Sequence, residues 1–298
     1  MELVKITEKV FYIQGSVNIG VILLSENSCC LVDTGLNEDT ARKVYNLLTE
    51  KKIAIKAIIN THHHADHCGG NKLLKDRSGA KIYAPAFEEA IISNTLLEPI
   101  YLFSGAFPID EMQKDFLMAK STKPDIVFSS ESNDIMIDDI KIGVFPLPGH
   151  SPGQVGIAFD NVLFCADSLI SKEIADKYKI PYNCDIEKTK ESLRKLIASD
   201  FKFYIPSHGA LVFDIKELAI FNIELIEDVE KRILKLLITE KTTEDVLSTL
   251  CNSLGVTLAK APSYYLMNSA VMAYLGYLHN SKKIMYFIRD NSLYWKIA

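Results

Sequence analysis

Cysteine is scarce in this 298-residue chain: six in all, with no C-x-x-C pair. So thin a set excludes a disulfide-stapled scaffold, and the thiols are expected to be reduced and mostly buried. Long apolar runs are missing as well, since none approaches the roughly 18 residues that span a bilayer. The N-terminal stretch MELVKITEKVFYIQG alternates and carries charge, so it reads as a strand and not as a signal peptide. A strong charge of one sign is also lacking. The 33 basic and 38 acidic residues leave a net charge of −5, with no general pull toward nucleic acid or an anionic membrane. No internal repeat or low-complexity tract is found. These absences point to a cytoplasmic protein with no membrane partner.

What remains is ordinary for a globular fold: 48% hydrophobic and 24% charged residues, in a length that fits one large domain or two smaller ones. Val10 to Gly15 and Val17 to Leu24 read as strands joined at Gly15-Ser16. SCCLVD at 28–33 is an apolar run suited to a strand buried on both faces. Asn37 to Lys52 has helical spacing, Ala57 to Asn60 is strand-like, Asn71 to Arg77 is helical and Lys81 to Ala84 is strand-like. The stretch 85–132 mixes prolines with aromatics and reads as an insertion of helix and irregular chain, either a lid or a packed insert. Hairpins are expected at Asp138-Asp139 and Asp160-Asn161. A helix is expected over Asp185 to Ala198, and a last strand over Phe201 to Pro206.

Beyond residue 212 the texture changes. Helices are expected at Phe213–Ile238, Thr242–Leu254 and Ser263–His279, followed by a hairpin around Asp290-Asn291. This divides the chain into a catalytic domain, 1–212, and a helical domain, 213–298, that ends in a hairpin. The second part carries ten basic and ten acidic residues, unlike a nucleic-acid module. Its tyrosines at 264, 265, 274 and 277 fit core packing, with a pocket wall or a dimer contact as alternatives.

The densest chemistry lies in Thr61-His62-His63-His64-Ala65-Asp66-His67-Cys68-Gly69-Gly70, between an expected strand and an expected helix. The spacing H-x-H-x-D-H gathers three of seven histidines and an aspartate, donors that suit zinc, with manganese or iron as alternatives. His150 in LPGHSPG, Asp167 in FCADS and His208 in PSHG each follow an expected strand. Strand ends collect on one rim of layered α/β folds, so these residues can converge into a pocket of five histidines and two aspartates. His63 points away from its neighbours by alternation and is expected at the surface or behind the ligands. Cys68 is expected as a small buried residue, and His279 as a helix-end cation without a catalytic role.

With Asp33 in LVDTG, these motifs run in the order found in the metallo-β-lactamase fold superfamily, which residues 10–210 resemble. The resemblance implies an αββα sandwich, an α/β (α+β) fold with the site at one edge and a C-terminal helical, winged-helix-like extension. It implies that His62, His64 and His150 bind a first metal ion, that Asp66, His67 and His208 bind a second, and that Asp167 bridges them. Aspartate and histidine at 167 and 64 make the set most similar to glyoxalase II-like hydrolases.

The chemistry then expected is hydrolysis of a small ester- or thioester-like substrate by a hydroxide bridging two divalent ions. Asp66 would hold that hydroxide and Asp33 would orient ligands; these two are the expected catalytic residues. The alternatives are a binuclear ribonuclease or phosphodiesterase and a mononuclear iron oxidoreductase of the persulfide dioxygenase kind. Nucleic acid is the less favoured partner, and would need a groove built from Lys72, Lys75, Arg77, Lys172, Lys177 and Lys179.

Overall fold

The computed structural model describes residues 1–298. The chain begins with four antiparallel strands, β1 (Leu3–Lys5), β2 (Val10–Ile13), β3 (Ile19–Ser25) and β4 (Ser28–Val32). After helix α1 (Glu38–Glu50) come β5 (Ala54–Ile59), the single turn α2 (Ala65–Cys68), α3 (Asn71–Ser78) and β6 (Lys81–Pro85). Short helices α4 (Glu88–Ser93) and α5 (Leu97–Leu102) precede β7 (Ile126–Phe128). These seven strands form one sheet in sequence order, parallel from β4 onward. The N-terminal stretch is thus two strands, β1 and β2, which pair with each other. Residues 126–128, expected within the insertion, are instead an edge strand of this sheet.

A second sheet follows: β8 (Asp134–Ile137), β9 (Ile140–Pro146), β10 (Val155–Phe159) and β11 (Val162–Ala166). It is closed by β12 (Phe203–Pro206), parallel to β11, after α6 (Lys172–Tyr178) and α7 (Ile186–Ala198). The turns at 160–161 and 290–291 have positive φ at both central residues, the backbone that matches strand twist. Short α6 has no counterpart among the expectations.

Three apolar clusters explain the layers. Between the sheets pack Val10, Ile22, Cys30, Val32, Ala57 and Ile59 from one side and Ile142, Val144, Val155, Ile157, Val162 and Phe164 from the other. The alternate residues Val21, Cys29, Leu31, Ile55 and Ile58 face outward onto Ala41, Val44 and Leu48 of α1 and Leu73 and Leu74 of α3. This period of two, with both faces covered, is why β4 is apolar throughout. The outer face of the second sheet (Leu147, Leu163, Cys165, Tyr204) packs on α7. The order is therefore helix, sheet, sheet, helix.

The third cluster continues without a break into α8 (Lys216–Leu236), α9 (Thr243–Ser253) and α10 (Ala261–Asn280). A two-residue strand β13 (Lys241–Thr242) joins β14 (Ile284–Arg289) and β15 (Ser292–Ile297) in the order β13-β15-β14. Helix, strand, helix, helix and hairpin is the winged-helix pattern anticipated for this region. No helix is long and apolar enough to cross a membrane.

Candidate metal centre

The strand ends deliver the polar residues to one rim. Asp33 follows β4, the histidine block follows β5, His150 follows β9, Asp167 follows β11 and His208 follows β12. In sheets with parallel strands this carboxyl edge is where ligands bind. Backbone at the rim is bent to aim these groups. Asp33 has φ 64, and Ala166, at a bulge of β11, has φ 51 just before Asp167. Gly149 stands at φ 134, where a Cβ would lie 2.4 Å from the backbone nitrogen of Thr189.

All seven predicted ligands come together. His62 Nε2 and His150 Nε2 lie 3.1 and 2.9 Å from His64 Nδ1. His67 Nε2 lies 3.3 Å from Asp167 Oδ1, and His208 Nε2 lies 3.4 and 3.5 Å from Asp167 Oδ2 and Asp66 Oδ2. His150 Nε2 is 3.6 Å from the same Asp167 oxygen, so Asp167 stands between two groups: His62, His64, His150 and Asp66, His67, His208.

The outer partners fix what the inner nitrogens offer. The carbonyls of Tyr182 and Ser16 accept from Nδ1 of His150 and His208 at 2.9 and 2.7 Å, so those protons sit on Nδ1. Asp33 Oδ2 accepts from His67 Nδ1 at 2.7 Å and from the Thr61 hydroxyl at 2.8 Å. With its proton spent on Asp33, the Thr61 oxygen accepts from His62 Nδ1 at 3.0 Å. In their neutral form these four histidines turn Nε2 lone pairs inward, and a proton on His64 Nδ1 serves only one of them. His67 Nε2 and Asp167 Oδ1 are buried without any hydrogen-bond partner. Buried polar groups are costly when unpaired. Inward lone pairs from imidazole and carboxylate are the donor set of a divalent transition metal, so the residues fit such an ion.

Electrostatics divide the set. Burial, then neighbouring imidazoles, hold His62 and His64 well below the usual histidine range. Burial also opposes charge on His67 and His208, but the Asp167 carboxylate outweighs it, and His208 is pushed up to about 10. Asp167 is held low: burial works against it, and His67 and His208 overcome that. Asp66 is the most open of the set at 32% side-chain exposure, whereas Asp33 is at 3%. Asp33 touches His67 and Thr61 and no open space, and so holds the His67 ring in place.

His63 is not at the surface. It is buried, donating from its backbone and its Nδ1 to Glu88 and lying 3.1 Å from the Tyr101 hydroxyl. Cys68 is buried as expected. His279 packs against Tyr286 and Trp295, remote from the rim. Thr61, Glu88, Glu98, Tyr101 and Tyr182 were not singled out from the sequence. Glu88 carried a signal: it shares the buried face of α4 with Ile91 and Ile92 at helical spacing. Burial pushes Glu98, 3.9 Å from His64 Nε2, up to about 8.

The family profile described as metallo-beta-lactamase superfamily matches residues 12–208. A hydroxyacylglutathione hydrolase of Pelagibacter ubique is 27% identical over 198 residues, 59% of this chain and 68% of that protein. The hydroxyacylglutathione hydrolase GloC of Haemophilus influenzae is 27% identical over 139 residues, 47% of this chain and 59% of that protein. The crystal structure of a metallo-beta-lactamase family protein from Thermus thermophilus superposes with a TM-score of 0.72 at 18% identity. That match covers 94% of this chain and 93% of the other, so the shared fold extends through the C-terminal helices.

Proposed function

The chain belongs to the metallo-beta-lactamase superfamily and is one of its hydrolases, and we propose that it works with two divalent ions, zinc first, on a small ester- or thioester-like substrate. His62, His64 and His150 would hold one ion, Asp66, His67 and His208 the other, with Asp167 shared. The observation that carries this reading is the convergence of inward lone pairs around two partnerless buried atoms, His67 Nε2 and Asp167 Oδ1. The names of the relatives support hydrolysis of an acyl substrate.

Bound there, two such ions supply an acidified water and a Lewis acid for the carbonyl under attack. The chain's own residues do the rest. Asp66, on the open side, accepts a proton from the attacking water and passes it to solvent. Asp33 and Thr61 hold His67 and His62 in the tautomers that face inward. Four of the six cations that a nucleic-acid groove would need are paired with carboxylates: Lys72 with Asp76, Lys75 with Asp125, Lys172 with Glu217 and Lys179 with Asp176. This favours a small substrate. Six unpaired cysteines support a reducing, cytoplasmic setting.

The test is metal content after purification without chelators, joined to a panel of thioesters, lactones and single-stranded RNA. Two zinc or manganese ions per chain with thioester or lactone turnover is the expected result. Cleavage of RNA alone would replace the substrate class. One iron per chain with oxygen uptake on thiol persulfides would replace the reaction.

A further inference from the structure

The geometry points to Glu88 as a positioning residue that locks the two loops of the first ion site, through His63 on one side and Ser151 and Gly153 on the other. The inference rests on the two-ion reading above. Glu88 is 0% exposed, at the start of a two-turn helix, with all its acceptor capacity committed. One oxygen takes the backbone N–H of His63 at 3.0 Å and the His63 ring. The other takes the Ser151 hydroxyl at 2.9 Å and the Gly153 N–H at 2.6 Å. His63 lies between His62 and His64, and Ser151 follows His150. One carboxylate thus ties together the two chain segments that present the three nitrogens of the first group, and touches nothing in the second.

The surroundings are shaped for this contact. Phe87, just before Glu88, has φ 76 and ψ −52, backbone that non-glycine residues seldom adopt and that the structure must hold against strain. A Cβ on Gly153 would lie 3.0 Å from a Glu88 carboxylate oxygen and 2.7 Å from the Ala86 carbonyl, so the approach needs glycine. His63 is also held from outside by Tyr101. The middle histidine of the block is therefore the handle by which Glu88 grips the loop. The second group has its own anchor in Asp33, which holds His67. The reach of Asp33 to the first group is indirect, through the Thr61 hydroxyl, whose oxygen accepts from His62.

Chelator-competition titration of the full chain with zinc, repeated with cobalt(II) for its absorption spectrum, tests this. Glu88→Gln keeps the shape but replaces one acceptor by an amide donor that faces other donors. It should lower the affinity of one ion by about 10–100-fold, the usual cost of losing an outer partner, and leave the other ion unchanged. Asp33→Asn should lower the affinity of the other ion more, because Asp33 touches His67 directly and His62 only through Thr61. Ser151→Ala removes one of the four donors and should weaken the same ion as Glu88→Gln by about 2–10-fold, the worth of one hydrogen bond. It carries the test if Glu88→Gln does not fold. Equal loss of both ions in Glu88→Gln, a greater loss of that same ion than of the other in Asp33→Asn, or no loss in either Glu88→Gln or Ser151→Ala overturns the inference. If the wild-type chain binds only one ion, the two-ion reading fails. Glu88 is then judged on that ion: weakened binding in Glu88→Gln supports the lock, and unchanged binding overturns it.

Discussion

Two clusters of buried polar groups lie in this molecule, and they are built on opposite terms. At the rim, five imidazoles and two carboxylates converge on one another with no lysine or arginine among them. Behind the second sheet, between α7 and α8, Lys190 meets Glu230, with both side chains 6–7% exposed. The Lys190 ammonium also lies 5.1 Å from the centre of the Tyr277 ring, and Lys283 is 3.8 Å from Glu230. The second cluster answers charge with charge, and such a pair can be exchanged for apolar groups at little cost. In the first, the donors answer one another poorly and are set to answer an ion. Burial alone does not separate architecture from chemistry; what the buried atoms face does.

The largest effect expected is at the rim. Asp167→Ala removes the one carboxylate that faces His67, His150 and His208 together. Hydrolysis should fall by about a thousand-fold or more, equivalent to roughly 4 kcal/mol in the barrier, with the cooperative unfolding transition retained. Steady-state kinetics on the substrate found in the panel measures it, and activity within ten-fold of wild type would break the comparison. The reverse pattern is expected between α7 and α8. Glu230→Ala leaves a buried ammonium unpaired and should cost about 3 kcal/mol of stability with kcat unchanged. The double replacement Lys190→Met with Glu230→Leu should recover most of that loss, read from urea midpoints. A double variant as unstable as the single would show that the pair holds more than its own charges.

The rim was legible in sequence, and the pair behind it was not, for the same physical reason. Chemistry needs particular side chains at strand ends, so His62, His64, Asp66 and His67 stand at fixed offsets and His150, Asp167 and His208 each follow an apolar run. Layering was equally legible: the run at 28–33 implied a strand covered on both faces, and β4 is one. Lys190 and Glu230 read as ordinary solvated helix charges, because only the docking of one helix on another buries them. Glu88 was missed for a like reason, as its partners lie at His63 and at 151–153. Strand β7 escaped because three residues carry little pattern and pairing with β6 defines them. For His63 the sequence left the surface or a place behind the neighbouring histidines open, and only the docking of α4 decides, by putting Glu88 against it.

Metal removal should produce a smaller change that sharpens the contrast. An ion that binds only the folded chain adds about 2.7 kcal/mol when present at a hundred times its dissociation constant. Chelation should therefore lower the unfolding midpoint of wild type and of Glu230→Ala by equal amounts, because separate clusters contribute additively. A much smaller drop in Glu230→Ala would mean that the two regions share a cooperative unit, and calorimetry with and without chelator distinguishes the cases.

The smallest effect concerns the start of α9, where two threonines stand side by side. Thr242 takes the role of cap: its hydroxyl accepts from Asp245 N at 3.1 Å while Asp245 Oδ2 accepts from Thr242 N at 3.2 Å. This reciprocal box satisfies two helix-end donors. Thr243 is committed to something else, accepting from the Trp295 indole at 3.0 Å and so tying α9 to β15. Thr242→Ala should cost about 1 kcal/mol, the ordinary value of a cap, and leave metal content and kcat untouched. Thr243→Val keeps the cap and should instead shift Trp295 fluorescence. If Thr242→Ala lowered kcat in proportion to its stability loss, the C-terminal helices would be acting on the rim through their shared packing with α7. The division between a cluster that holds the fold and a cluster that does chemistry would then have to be redrawn around α7, whose Ser192 donates to the Pro148 carbonyl beside His150.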